Sequence, residues 1–167
     1  MNQLAIIALG SNLGDSLSIL REAMQRLESL SDGPILRSSF WQTSPVDCPP
    51  GSPPFINAVV AINPFPDETP ETLLEKLQEL EKAFGRKPKV VLNEPRPLDL
   101  DLVAFGNEVR NSSALVLPHP RAHLRQFVLR PLAEIAPGFL LPGQEQTVIK
   151  LLASVNTAEQ LERIGQF

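Results

Sequence analysis

Apolar positions recur with two different periods along this chain. Leu4 to Leu9 is an unbroken apolar run that stops at Gly10-Ser11-Asn12, as a buried strand does when it enters a turn. Beyond it, Ile19, Leu20, Ala23, Met24, Leu27 and Leu30 repeat at helical spacing, predicting a helix over Ser16 to Leu30. Asp15 or Ser16 supplies the short oxygen-bearing side chain that accepts a hydrogen bond from an orphan first-turn N–H. Ile35 to Thr43 and Phe55 to Ile62 then read as strands, separated by a Pro- and Gly-rich loop from Ser44 to Pro54. Thr69-Pro70-Glu71 is a helix start, because a proline in the first turn forfeits an N–H that has no partner anyway. Leu73, Leu74, Leu77, Leu80 and Glu81 carry that helix to Gly85. A second long loop, Gly85 to Pro97, is broken by Pro88, Pro95 and Pro97, and Leu98 to Phe105 follows as a fourth strand. Pro118 to Arg125 reads as a turn or short helix, with further helices over Phe127 to Ala136 and Thr147 to Ser154.

The resulting order β-α-β-β-α-β is that of the ferredoxin-like split βαβ fold, an α+β arrangement with an antiparallel sheet. The first two helices would cover one face and the later helices the other, a three-layer α/β/α sandwich in one domain over residues 1–167. Loops of this length in a compact domain usually bind something or move, so both are expected to be mobile and to close over ligands. The fold itself fixes no chemistry.

Composition narrows the function. The chain has 167 residues, 43% hydrophobic and 20% charged, the balance of one globular domain. No segment reads as a secretory leader or bilayer span, which predicts a cytoplasmic protein, and we expect a monomer. Cys48 is the single cysteine, so no internal disulfide or thiolate cluster can form. A net charge of −4 with 5% aromatics and no tyrosine argues against nucleic-acid binding, which draws on many basic contacts and stacking rings. Local basic groups remain, at Arg86, Lys87, Lys89 and Arg96, and at Arg121, Arg125 and Arg130. They permit a confined phosphate site on an acidic protein.

The fourth strand carries the most chemistry. In Leu98-Asp99-Leu100-Asp101-Leu102 the period of two sends the leucines to one face and both aspartates to the other. Carboxylates two apart on a strand, roughly 6–7 Å between Cα atoms, can grip hard cations between them. The same pattern would equally suit a solvated edge strand, where charge discourages aggregation. Arg96 before the strand and Arg86 after the second helix tilt the choice, since guanidinium forks suit phosphate oxygens. Carboxylate-held Mg²⁺ with arginines is the equipment of phosphoryl-type transfer. His119, between Pro118 and Pro120, is a proton carrier, metal ligand or phosphate donor on one reading and a packed turn residue on the other. His123 has no supporting motif.

Taken in order, Ala8-Leu9-Gly10-Ser11-Asn12, Thr43, Phe55-Ile56-Asn57-Ala58, Gly85-Arg86, Pro95-Arg96-Pro97-Leu98-Asp99-Leu100-Asp101 and Pro118-His119-Pro120-Arg121 with Arg125 and Phe127 resemble the 6-hydroxymethyl-7,8-dihydropterin pyrophosphokinase family. The motifs extend from residue 8 to about residue 137. The resemblance implies a ferredoxin-like enzyme of folate biosynthesis that binds MgATP and the pterin, transfers diphosphate to the hydroxymethyl oxygen and releases AMP. It implies two Mg²⁺ ions on Asp99 and Asp101. It places Thr43, Ser44, Val46, Phe55, Asn57 and Phe127 at the pterin, and Gln78, Glu81, Leu102, His119 and Arg125 at ATP. Arg86 and Arg96 correspond to the loop arginines that contact phosphate and stabilise charge on the transferred group. Two positions depart from the family pattern. Asn93-Glu94 stand where Trp-Gly is usual, and Pro88, flanked by Lys87 and Lys89, stands where a second basic residue is common. The readings from other classes are a nucleotide- or pterin-holding module without turnover, and a metal-dependent hydrolase that cleaves ATP without any pterin.

Overall fold

The computed structural model describes residues 3–43, 51, 53–85, 97–155 and 161–166. Ser44, Val46, Cys48, Arg86, Lys87, Pro88, Lys89, Asn93, Glu94 and Arg96, with most of both long loops, lie outside them.

Strand β1 (Ala5–Ser11) is buried along its whole length, as its unbroken apolar run requires. It leads into helix α1 (Ser16–Leu27), whose cap is Asp15: the carboxylate accepts from Ser18 N–H. The last predicted turn of this helix tightens into a 3₁₀ turn over Glu28–Leu30. The predicted second strand is two pieces, β2 (Leu36–Arg37) and β3 (Phe40–Thr43). The break falls at Ser38-Ser39, where the Ser38 hydroxyl donates to Ser39 C=O and accepts from Val59 N–H. Short hydroxyl side chains compete with ladder hydrogen bonds in this way. Strand β4 (Phe55–Ile62) has the predicted bounds. Helix α2 (Pro70–Ala83) starts on a Thr69/Thr72 capping box with Pro70 in its first turn. Strand β5 (Asp99–Phe105) follows.

Two short strands, β6 (Arg110–Asn111) and β7 (Val116–Leu117), form a separate hairpin. A cis Leu117-Pro118 bond and a 3₁₀ turn (Ala122–Leu124) lead to helices α3 (Gln126–Ile135) and α4 (Val148–Ser154). The final strand β8 (Leu161–Gly165) was not foreseen in the sequence. The main sheet has the order β5-β1-β4-β3-β8, with β2 also on β4 and antiparallel neighbours throughout. Its β5-β1-β4-β3 portion is the expected ferredoxin-like order, the first and second core strands being split by the third.

The two faces carry separate cores. Ala5, Ile7, Leu9, Ala58, Val60, Ile62, Leu98, Leu100 and Leu102 pack with Leu20, Met24 and Leu27 of α1 and Leu73 and Leu77 of α2. The alternate residues Ile6, Ala8, Val59 and Ala61 pack with Val128, Leu129 and Leu132 of α3 and Val148 and Leu151 of α4. This is the three-layer sandwich. Among the described residues no helix is long and apolar enough to cross a membrane.

Candidate active site

The register of β5, β1, β4 and β3 assembles the site. Gly10 on β1 lies opposite Asp99 on one side and Asn57 on the other, and Asn57 lies opposite Trp41. One step along, Ala8 pairs with Asp101, and Thr43 pairs with Phe55. Residues directly opposite in a sheet share a face, so Asp99, Asp101, Phe55, Asn57 and Thr43 all lie on the α3/α4 side. The leucines of the acidic strand take the other side, with Leu98, Leu100 and Leu102 at 0%, 5% and 4% exposure. Both aspartates are half-buried. β5 is an edge strand, as the solvated alternative required, yet its acidic face looks into the fold.

Asn57 is buried and donates from Nδ2 to Thr43 Oγ1 at 2.8 Å. That bond turns its Oδ1 toward β1. Phe55 at the mouth is half-buried. Phe127, in the first turn of α3, packs against the second core with the Arg125 guanidinium over its ring, 5.3 Å from the centroid. A directed amide and aromatic rings are the groups that suit a flat heterocycle.

A second group of residues runs along the outer edge of β5. Glu81, from α2, accepts the Leu100 N–H at 2.7 Å, and the backbone N–H of His119 donates to Val103 C=O at 2.8 Å. Leu102 lies between these two, where the register of β5 with β1 shifts: Leu102 is opposite Ile7, and Ala104 is opposite Ile6. The Leu102 side chain belongs to the first core, which leaves the backbone as the part of Leu102 that a ligand can meet. Gln78 is exposed on α2. His119 is held by an Arg121 N–H that donates to its Nδ1 at 3.2 Å. Burial pushes the His119 pKa below the ordinary histidine value; Arg125 and then Arg121 push the same way, and Asp99 opposes them. The neutral ring is thereby favoured near pH 7.

The donor set fits Mg²⁺. Among the described residues there is no cluster of three or more His, Cys, Asp or Glu that could hold a metal, so an all-protein cage is absent there. Mg²⁺ is commonly bound by one or two carboxylates plus substrate phosphates and water, and two aspartates on one half-buried strand face supply that share.

Sequence reasoning passed over Glu134, on α3. Its carboxylate accepts from Ser39 N–H at 3.0 Å, Ser39 Oγ at 2.7 Å and Trp41 Nε1 at 2.8 Å, fastening α3 to the strand that ends at Thr43. Arg130, one helical turn earlier, lies over the Trp41 ring at 5.5 Å. The available signal was the one acid, Glu134, among the mostly apolar residues of this helix.

Comparison with known proteins shows the family. A protein from Synechocystis sp. named 2-amino-4-hydroxy-6-hydroxymethyldihydropteridine pyrophosphokinase is 36% identical over 154 residues, 91% of this chain and 76% of its own length. A Bacillus subtilis protein of the same name is 40% identical over 140 residues, 81% of this chain and 79% of its own. The fold also matches a solved HPPK-DHPS protein in complex with substrates, with a TM-score of 0.68 at 12% identity over 90% of this chain. The chain spans 44% of that longer protein. The family described as 7,8-dihydro-6-hydroxymethylpterin-pyrophosphokinase (HPPK) matches residues 6–137, and this chain belongs to it.

Proposed function

We propose that this protein, located in the cytoplasm, transfers the β,γ-diphosphoryl unit of ATP to the hydroxymethyl oxygen of 6-hydroxymethyl-7,8-dihydropterin on the α3/α4 face of the sheet, releasing AMP, in folate biosynthesis. The observation that carries the reading is the register of β5, β1 and β4. It sets a pair of carboxylates and a buried amide on one face, with only Gly10 between Asp99 and Asn57.

The pterin lies against Phe55 and Phe127, with its amide edge at Asn57, and takes edge contacts from Thr43 and, by resemblance to the family, from Ser44 and Val46. Asn57 is oriented for this by Thr43, and a pre-set donor–acceptor pair costs less ordering on binding. ATP occupies the outer edge of β5, among Gln78, Glu81, the Leu102 backbone, His119 and Arg125. A neutral His119, whose Nδ1 already accepts from Arg121 N–H, carries its proton on Nε2 and can donate one hydrogen bond there without adding charge. Asp99 and Asp101 would hold two Mg²⁺ ions, which would supply neutralisation of phosphate charge. Arg86 and Arg96 stabilise the charge that develops on the transferred group, a role in which loss of one donor commonly costs a hundredfold or more in rate. The new bond joins the hydroxymethyl oxygen to the β-phosphorus, the bond between that phosphorus and the α,β-bridging oxygen breaks, AMP leaves with that oxygen, and the hydroxyl proton passes to solvent. The protein's task is to hold these atoms in line.

The test is AMP release from MgATP with and without hydroxymethyl dihydropterin, run beside Asp99→Ala and Arg96→Ala. Pterin-dependent AMP from the wild type, reduced by both substitutions, is expected. ATP cleavage that ignores the pterin would point to a hydrolase instead, and binding of both ligands without AMP would point to a holding module.

A further inference from the structure

Gly10 is the penultimate residue of strand β1, with no backbone reason to be glycine. Positive φ occurs at other glycines of the chain, among them Gly14, Gly33 and Gly85, and not at Gly10. Its surroundings supply a different reason. A Cβ at this position would lie 3.2 Å from Asn57 Oδ1 and 3.6 Å from Phe55 Cδ1. The first distance is shorter than ordinary van der Waals contact, and the Asn57 amide has little freedom to yield, because its Nδ2 is bound to Thr43 at 2.8 Å. Asn57 is also buried, so the amide would have to shift within a packed layer, where added atoms force neighbours off their preferred positions.

We infer that Gly10 is a positioning residue for the pterin: by presenting no side chain, it lets the Asn57 amide and the Phe55 ring lean over β1 toward Asp99. Adjacent strands lie about 4.8 Å apart, so Asn57 and Asp99 stand roughly 10 Å apart across Gly10. A ligand that meets the amide at one end must bring its reacting oxygen toward the carboxylates at the other. A methyl group at Gly10 displaces the amide and leaves the carboxylates where they are. The effect should therefore fall on the pterin and spare the nucleotide. This inference rests on the functional reading above and deepens it.

Binding measurements separate the two, because they need no turnover. Calorimetry would follow an ATP analogue with a methylene α,β bridge, plus Mg²⁺, and then 6-hydroxymethylpterin added to that complex. Gly10→Ala is expected to leave the Kd for the analogue unchanged and to raise that for the pterin about ten- to a hundredfold, the penalty for misplacing one buried hydrogen bond. Gly138→Ala is the control, since a Cβ there meets nothing within 4 Å, and it should bind both ligands as the wild type does. Because Gly10 acts through Asn57, adding Gly10→Ala to Asn57→Ala should cost nothing further, a non-additivity that a double-mutant cycle detects. Pterin binding by Gly10→Ala equal to that of the wild type, or the same loss with and without Asn57, overturns the inference. If Gly10→Ala does not fold, the double variant decides: recovery of the fold on removing the Asn57 amide supports the clash, and failure of both overturns it. A wild type that binds both ligands and releases no pterin-dependent AMP would count against the proposed reaction and leave the role of Gly10 standing.

Discussion

His119 and Glu81 show how much a single side chain's role depends on its neighbours. The lowered pKa of His119 comes first from burial and then from two arginines. The folded protein therefore takes up this proton less readily than the unfolded chain, whose histidine titrates near 6.5. Above that value both states are neutral and the group costs nothing. As pH falls below it the unfolded chain binds the proton first, and stability declines until the folded pKa is passed. Urea midpoints between pH 8 and pH 5 should fall for the wild type and fall less steeply for His119→Gln; parallel curves would remove His119 as the cause. Glu81 was assigned to nucleotide binding by resemblance, and its carboxylate also accepts the Leu100 N–H on the edge strand. Glu81→Ala should lose about 1–3 kcal/mol, the usual cost of leaving a part-buried donor unpaired, whereas Glu81→Gln keeps an acceptor and most of the stability. Equal losses for both, measured by denaturant unfolding, would show that the acceptor is not what matters. The aspartates' shared face was legible from alternation alone. Their half-burial was not, because it depends on groups outside the strand, such as His119, whose ring feels the Asp99 charge.

At the scale of elements, what the sequence displayed clearly was what local chemistry dictates. β4 has the bounds that its apolar run predicts, and α2 begins at Pro70 because Thr69 and Thr72 satisfy each other's backbone N–H groups. Thr69→Ala should cost about 1 kcal/mol, as cap removal commonly does, without altering pterin affinity; the comparison needs only unfolding curves and one titration. Elements decided by partners were harder to read. β8 has Leu161 and Ile164 three apart, which fits no strand period, and it forms because β3 offers an edge. The split between β2 and β3 follows from two serines whose bonds go to Val59, Ser39 and Glu134. Glu134 makes that split useful, since it locks Ser39 and Trp41 to α3 and so fixes the strand that ends at Thr43. Glu134→Ala removes the shared acceptor of three donors, so unfolding free energy should drop by about 1–3 kcal/mol and the pterin KM should rise more than the ATP KM. Equal changes in both KM values would mean that the strand is not what Glu134 holds.

For the molecule as a whole, the division of the sheet between two cores determines how ligands and stability are coupled. The α1/α2 core takes the leucines of the acidic strand, and the α3/α4 core lies beneath the proposed substrate face. Ligands that bind on the second side should therefore stabilise the entire cooperative unit, because β5, β1 and β4 belong to both cores. A ligand that binds only the folded state adds RT ln(1 + [L]/Kd), about 2.7 kcal/mol at a hundred times Kd. For a domain of this size, each kcal/mol moves the melting temperature by about 2–4 °C. MgATP at that excess should raise the melting temperature of the wild type by several degrees, and chelating Mg²⁺ should remove most of the shift if Asp99 and Asp101 tie the phosphates to the sheet through the metal. Asp99→Asn with Asp101→Asn removes both carboxylates from the β5 face at nearly constant side-chain volume. Its response to ATP should no longer depend on Mg²⁺. A double variant that keeps the full magnesium-dependent shift would place the metal elsewhere, and with it the triphosphate.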